Sequence, residues 1–152
     1  MAEAIMNARG KPNFIAYSAG SHPTGIVRPE ALRQIEMADW PTTGLRSKSW
    51  EEFAKPDAPK LDFVFTVCDS AAKEVCPIWP GQPLSAHWGV PDPAAVQGTE
   101  KEVQRAFNNA FYMLQRRIEL FLSLPLKSID SVALQREERL SLQREIDNIG
   151  RQ

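Results

Sequence analysis

The strongest pattern of apolar and polar positions lies in the second half of the chain and is helical. Apolar side chains recur there at intervals of three and four residues, at Val103, Phe107, Phe111, Leu114, Ile118 and Phe121. Thr99 and Glu102 have the spacing of a capping box, and Pro125 stops the pattern. We therefore predict a long helix that begins after Thr99 and contributes its apolar face to the core.

Two shorter helices are predicted nearer the amino terminus. Met1–Arg9 contains no helix breaker, and Gly10 and Pro12 end it. A second helix begins at Pro29, a residue favoured in the first helical turn, and ends before Pro41. Between these helices and the long one, Gly- and Pro-containing stretches indicate surface connections.

Short apolar segments between the turn residues predict three strands, Phe14–Ala19, Leu61–Val67 and Leu84–His87. The continuous apolar run Phe63–Val67 indicates a strand that is buried on both faces. Strands that alternate with helices specify an α/β fold with a parallel sheet and helical crossovers. The 152 residues, 43% of them apolar, are enough for one such domain.

Two weaker patterns complete the prediction of local structure. Ala71–Val75 has the composition of a single helical turn between the two cysteines. The motif LQRE occurs at Leu134–Glu137 and again at Leu142–Glu145, and we interpret this tail as a solvated, weakly amphipathic helix.

The charge balance excludes two classes of partner. Eighteen basic and nineteen acidic side chains create no field that would attract nucleic acid or an anionic membrane. No apolar run is long enough to span a bilayer, and the sequence MAEAIMNARG lacks the apolar core of a secretory signal. We therefore expect a cytoplasmic protein, in which the two cysteines are thiols or a transient redox pair.

The candidate chemistry follows from where the strands end. Ligands of parallel sheets bind beyond the carboxyl ends of the strands, and this rule places Ser18, Cys68 and Asp92 at one edge. Cys68 taken alone also fits an inert core thiol, whereas Cys76, in a polar proline-rich segment, fits an accessible one. A reversible disulfide between the two cysteines is feasible. Asp92 also fits a simple turn residue between two prolines.

Several segments carry a resemblance to a known family. The runs FTVCDSAAKEVCP and HWGVPDPA resemble arsenate reductases built on the low-molecular-weight protein tyrosine phosphatase fold, as do YSAGSHPTG, GLRSKSWEEF and RRIELFLSLPL. The resemblance covers residues 1–126 and implies a three-layer α/β sandwich with a flavodoxin-like parallel sheet. It divides the chain into a phosphatase-like domain, residues 1–126, and a C-terminal helical tail, residues 127–152.

The resemblance also implies a mechanism and its residues. In the family, a thiolate in a Cys-x5-Arg phosphate loop attacks the oxyanion, and an aspartate that matches Asp92 protonates the leaving oxygen. Cys68 matches the second cysteine of the reductase relay and Cys76 the third. The implied partners are an oxyanion, arsenate or a phosphate ester, and a thioredoxin- or glutaredoxin-type reductant. No cofactor or metal is implied, and two histidines, His22 and His87, are too few to suggest zinc.

The sequence departs from the family at the primary nucleophile. Glu74 stands six residues after Cys68 and Gln82 six after Cys76, so these 152 residues contain no Cys-x5-Arg motif. The first strand and its phosphate loop are missing, and we expect the chain as written to be inactive and Met1 to be internal to a longer protein. The sheet edge left by that loss would also allow a homodimer. Alternatives are a phosphatase and a non-catalytic remnant or binding module.

Overall fold

The computed structural model describes residues 1–69, 73, 77–126 and 136–152. In chain order its elements are α1 (Ala2–Arg9), α2 (Pro29–Met37), β1 (Phe63–Thr66), β2 (Leu84–His87), α3 (Glu100–Leu122) and α4 (Arg136–Gly150). Single 3₁₀ turns lie at Trp50–Phe53 and Pro93–Ala95. The predicted helical turn at Ala71–Val75, apart from Lys73, lies outside the described residues, and so does Cys76.

The predicted α/β class, with a parallel sheet and helices, is confirmed. β1 and β2 pair in parallel, in register from Phe63 opposite Leu84 to Thr66 opposite His87. The three predicted helices form, and α3 begins with a complete capping box: Thr99 accepts from the Glu102 amide, and the Glu102 carboxylate accepts from the Thr99 amide. Local signals of cap and period therefore fixed these elements correctly.

The predicted strand at Phe14–Ala19 is wrong. Its backbone does not join the β1–β2 pair, and the nearest pairing is an isolated parallel bridge from Gly20 to Ser49. Within the segment, the side-chain amide of Asn7 bonds the backbone of Ala16 instead: it donates to the Ala16 carbonyl over 3.0 Å and accepts from the Ala16 amide over 2.8 Å. A side chain of α1 thus replaces a strand partner.

The expectation that β1 is buried on both faces is also wrong. All four of its residues are only half-buried, whereas β2 alternates buried and exposed positions. In the described part of the chain β1 has a strand partner, β2, on one edge only. No described strand shields its other edge from solvent. The apolar run therefore indicated a strand correctly but overstated its burial.

The core is built around one aromatic ring of α3. Phe121, 1% exposed, has ring centroids of Phe14, Phe63, Phe65 and Trp88 at 5.0 to 5.9 Å. Trp88 itself is buried and stacks on Phe65 at 3.9 Å. Aromatic side chains from five points of the sequence thus meet at one site, which joins α3 to the sheet.

The described part of the C-terminal tail forms α4, but this helix is not simply solvated. Leu134 and Gln135 of the first LQRE motif lie outside the described residues. Ile146 and Ile149 of α4 are buried in the core, and Gln143 donates to the Ser85 carbonyl over 2.7 Å. The carbonyl of Gln82 accepts from Arg139 over 2.6 Å. Since Ser85 belongs to β2, α4 covers the edge of β2 that β1 leaves open. None of the described helices is long and apolar enough to cross a membrane.

Candidate active site at the carboxyl ends of the strands

The ends of β1 and β2 bring the neighbourhoods of Cys68 and Asp92 together. Thr66 accepts a backbone bond from Trp88 over 2.8 Å, and Val67 accepts one from Val90 over 2.7 Å. These bonds extend the parallel pairing beyond both strands. Cys68 follows Val67 directly and is half-buried, and the loop that begins at Trp88 leads to the exposed Asp92.

His87 links the two sides of this edge through its side chain. Its Nδ1 lies 2.8 Å from the Thr66 hydroxyl, and its Nε2 lies 3.1 Å from the Asp69 carboxylate, next to Cys68. The approach is close: a Cβ on Gly89 would lie 2.7 Å from that Nε2 and 3.0 Å from the Asp69 oxygen. Only glycine fits at position 89 without displacing the ring.

Asp92 caps the short 3₁₀ turn at the end of this loop. Its carboxylate accepts from the Ala94 amide over 2.9 Å, which fixes the side chain while leaving it exposed. Pro93 supplies the first position of the turn. An exposed, locally oriented carboxyl group is suited to proton transfer to or from a bound molecule.

Arg28 interacts electrostatically with Asp92. The guanidinium of Arg28 makes a bidentate pair with Glu30 at 3.0 Å and stands over the Phe107 ring at 5.6 Å. The hydrogen bond to Glu30 is the main cause that raises the pKa of Arg28, and the charge of Asp92 acts in the same direction. Arg28 therefore adds a positive charge to the surroundings of Asp92, although its carboxylate partner is Glu30.

Ser18, predicted at the same edge, belongs to a different cluster. Its hydroxyl donates to the carboxylate of Glu3, which also lies 3.5 Å from the ammonium of Lys48. The Lys48 side chain is 5% exposed and the Glu3 side chain 13%. The structure thus places Ser18 with a buried ion pair at the start of α1. Cys76, the remaining predicted site residue, lies outside the described residues.

Sequence reasoning missed Arg117. This buried residue of α3 donates through Nη1 to the carbonyls of Trp88 and Gly89, both over 2.8 Å. Burial lowers the pKa of its guanidinium. A signal was available: Arg117 lies between Leu114 and Phe121 on the apolar face of α3, where a charged residue interrupts the pattern. Such an interruption indicates a buried polar contact.

A metal centre finds no support among the described residues, because no group of three His, Cys, Asp or Glu side chains converges there. What the edge does offer is a half-buried thiol, a carboxyl group and an imidazole held between a hydroxyl and a second carboxylate. This set suits thiol and proton chemistry at the carboxyl end of a parallel sheet.

Comparison with known proteins agrees with a site for thiol and proton chemistry on an α/β fold. Residues 1–138 match the family described as low molecular weight phosphotyrosine protein phosphatase, and the chain belongs to this family. Relatives named arsenate reductase include those of Oceanobacillus iheyensis, 35% identical over 105 residues, and Bacillus licheniformis, 32% identical over 122 residues. These alignments cover 69% and 80% of this chain and 72% and 84% of the relatives. The Bacillus subtilis arsenate reductase is 38% identical over 105 residues.

Proposed function

We infer that the protein reduces arsenate to arsenite through cysteine thiols. The observation that carries this inference is the junction of the Cys68 and Asp92 segments at the carboxyl ends of β1 and β2, joined by the 2.7 Å bond from Val90 to Val67. The relatives named arsenate reductase support the choice of oxyanion.

The proposed chemistry conserves electrons in three steps. A primary cysteine thiolate displaces water from arsenate, with Asp92 as proton donor to the leaving oxygen. The Cys68 thiolate then attacks the sulfur of this adduct, so that a disulfide forms and arsenic leaves as arsenite with two electrons. The Cys76 thiolate attacks Cys68, which frees the primary cysteine and leaves a Cys68–Cys76 disulfide for a dithiol protein of the thioredoxin or glutaredoxin class to reduce.

The primary cysteine is part of the proposal. Because no Cys-x5-Arg motif occurs in these 152 residues, we propose that a preceding strand and phosphate loop supply it and that the 152 residues alone do not turn over. Reading the coding DNA upstream of Met1 tests this part. An in-frame strand followed by Cys-x5-Arg supports it, and an immediate stop codon contradicts it.

Arsenate reduction coupled to a dithiol reductant tests the function in the protein extended by that segment. Cys68→Ser should abolish turnover, whereas Tyr112→Phe, at an exposed position of α3, should leave it largely unchanged. A phosphatase is the second candidate, favoured by the family description. Phosphoester hydrolysis that survives Cys68→Ser, without arsenate reduction, would establish it instead.

A further inference from the structure

We propose that the last turn of α4, Ile146–Gly150, and the buried Arg117 together position the candidate site. They hold the tripeptide His87–Gly89, here called the junction. The junction contacts the Cys68 segment and continues directly into the Asp92 segment. The catalytic meaning of this role rests on the proposed function. The positioning itself is a property of the fold and can be measured without arsenate.

The first argument is how closely α4 meets the junction. The buried indole of Trp88 donates to the Ile146 carbonyl over 2.9 Å. Gly150 packs so tightly that an added Cβ would lie 2.2 Å from the His87 carbonyl oxygen and 2.9 Å from the Trp88 ring. The family match ends at residue 138, so both contacts come from a part of α4 beyond the matched residues.

The second argument is the bonding of Arg117. Its guanidinium donates to Trp88 and Gly89 of the junction at 2.8 Å, and its Nη2 reaches the Gly150 carbonyl at 3.4 Å. Within the described part of the chain it pairs with no carboxylate. A buried cation that binds only carbonyl oxygens fixes backbone geometry, because its five donors have defined directions. Arg117 thereby connects α3, the junction and the end of α4.

The third argument is what the junction holds. The imidazole of His87 contacts Asp69, the neighbour of Cys68, at 3.1 Å. Val90, the residue after the junction, bonds to Val67 on the other side of Cys68 and leads into the Asp92 turn. A displacement of the junction would therefore shift the surroundings of the thiol and of the carboxyl group together. The α4 turn and Arg117 resist that displacement.

The experiment measures the alkylation rate of Cys68 by iodoacetamide in a Cys76→Ser background, where Cys68 is the remaining thiol. Gly150→Ala should raise the rate about threefold or more, since the inserted methyl group displaces the junction and opens the half-buried thiol. The variant's circular dichroism should show a folded chain. The His87 ring signals in NMR should shift, because the contact with Asp69 changes.

The matched control is Gln143→Ala on the same helix. It removes bonds to Ser85 on β2 and to Asp147, and among the described residues Gln143 makes no hydrogen bond to the junction. It should therefore lower stability while leaving the alkylation rate within a factor of about 1.5. An equal rate increase in Gln143→Ala, or an unchanged rate in folded Gly150→Ala, would overturn the proposal. Should Gly150→Ala fail to fold, Arg117→Lys provides the same test, since a single ammonium nitrogen cannot occupy the positions of both Nη1 and Nη2, from which the three carbonyls are bound.

The result separates this proposal from the proposed function. A rate increase in Gly150→Ala or Arg117→Lys but not in Gln143→Ala, combined with absence of arsenate reduction in the extended protein, overturns the function alone. Arsenate reduction that depends on Cys68, combined with an unchanged alkylation rate in folded Gly150→Ala or Arg117→Lys, overturns the positioning role alone.

Discussion

Val90 donates its backbone N–H to the carbonyl oxygen of Val67 over 2.7 Å. Val67 directly precedes Cys68, and Val90 lies two residues before Asp92. This bond lies beyond the last paired residues of the two strands, so the parallel pairing continues into the loops. It explains how Cys68 and Asp92, 24 positions apart in sequence, come to lie at the same end of the sheet. The surrounding side chains then decide how rigid that edge is.

Gly89→Ala tests the close packing at this edge. The methyl group would lie 2.7 Å from Nε2 of His87, so the ring must leave Asp69 or the loop must move. We expect a loss of at most about 1 kcal/mol in the free energy of unfolding, because the atoms that must move are the ends of the exposed His87 and Asp69 side chains. Urea denaturation measures it. Gly20→Ala, where an added Cβ meets nothing within 4 Å, is the control and should change stability little.

Arg117→Met tests whether the buried guanidinium satisfies the junction carbonyls. The methionine fills similar volume but leaves the carbonyls of Trp88, Gly89 and Gly150 without their donor. We expect a loss of about 2–4 kcal/mol, from unsatisfied buried acceptors. Arg116→Met, on the exposed side of the same helix, should cost less than about 0.5 kcal/mol. Equal effects of the two substitutions would show that the carbonyl bonds contribute little.

The sequence predicted those elements whose signals are local. The capping box at Thr99 and the apolar period up to Phe121 identify α3, and the Pro29 start identifies α2, because cap and period depend only on neighbouring residues. The runs at β1 and β2 were long enough to recognise as strands. The family resemblance was sufficient to place the chain in its fold.

What the sequence could not predict depends on tertiary contacts. Phe14–Ala19 has strand composition, but a strand exists only with a backbone partner, and here the Asn7 side chain bonds Ala16 instead. The polar composition of α4 concealed its packing against the core. Two buried side chains, Ile146 and Ile149, anchor this helix together with the bond from Trp88 to the Ile146 carbonyl. Arg117 and Lys48 are buried charges whose partners lie far away in sequence. Patterns of single residues do not encode such pairs.

Lys48→Met tests the buried ion pair at the start of α1. Removal of the ammonium leaves the Glu3 carboxylate, 13% exposed, with the Ser18 hydroxyl but no cation at 3.5 Å. We expect a loss of about 2–4 kcal/mol, since a buried charge without its partner is costly. The double variant Lys48→Met with Glu3→Gln should recover part of that loss, which a double-mutant cycle by urea denaturation would measure. Additive losses would show that the two charges do not interact.

Glu102→Gln tests the pH dependence of the capping box. The pKa of Glu102 is lowered below its ordinary value of 4.5, first by the backbone amide of Thr99 and then by its hydroxyl. A carboxyl group whose pKa is lower in the folded state stabilises the fold at pH above its unfolded pKa, and that contribution is lost as the pH falls through the folded pKa. The variant should therefore melt at a lower temperature than the parent at neutral pH.

The difference between the two melting temperatures should shrink below about pH 4 and disappear at lower pH, because the parent then carries a neutral carboxyl group like the amide. Thermal melts followed by circular dichroism over a pH series measure this. Glu36→Gln is the control, because this exposed residue of α2 makes no side-chain hydrogen bond within the described part of the chain. Its melting difference should not follow the same curve. A Glu102→Gln difference that stays constant with pH would instead indicate that the amide simply bonds less well, and that the charge at the start of α3 contributes nothing.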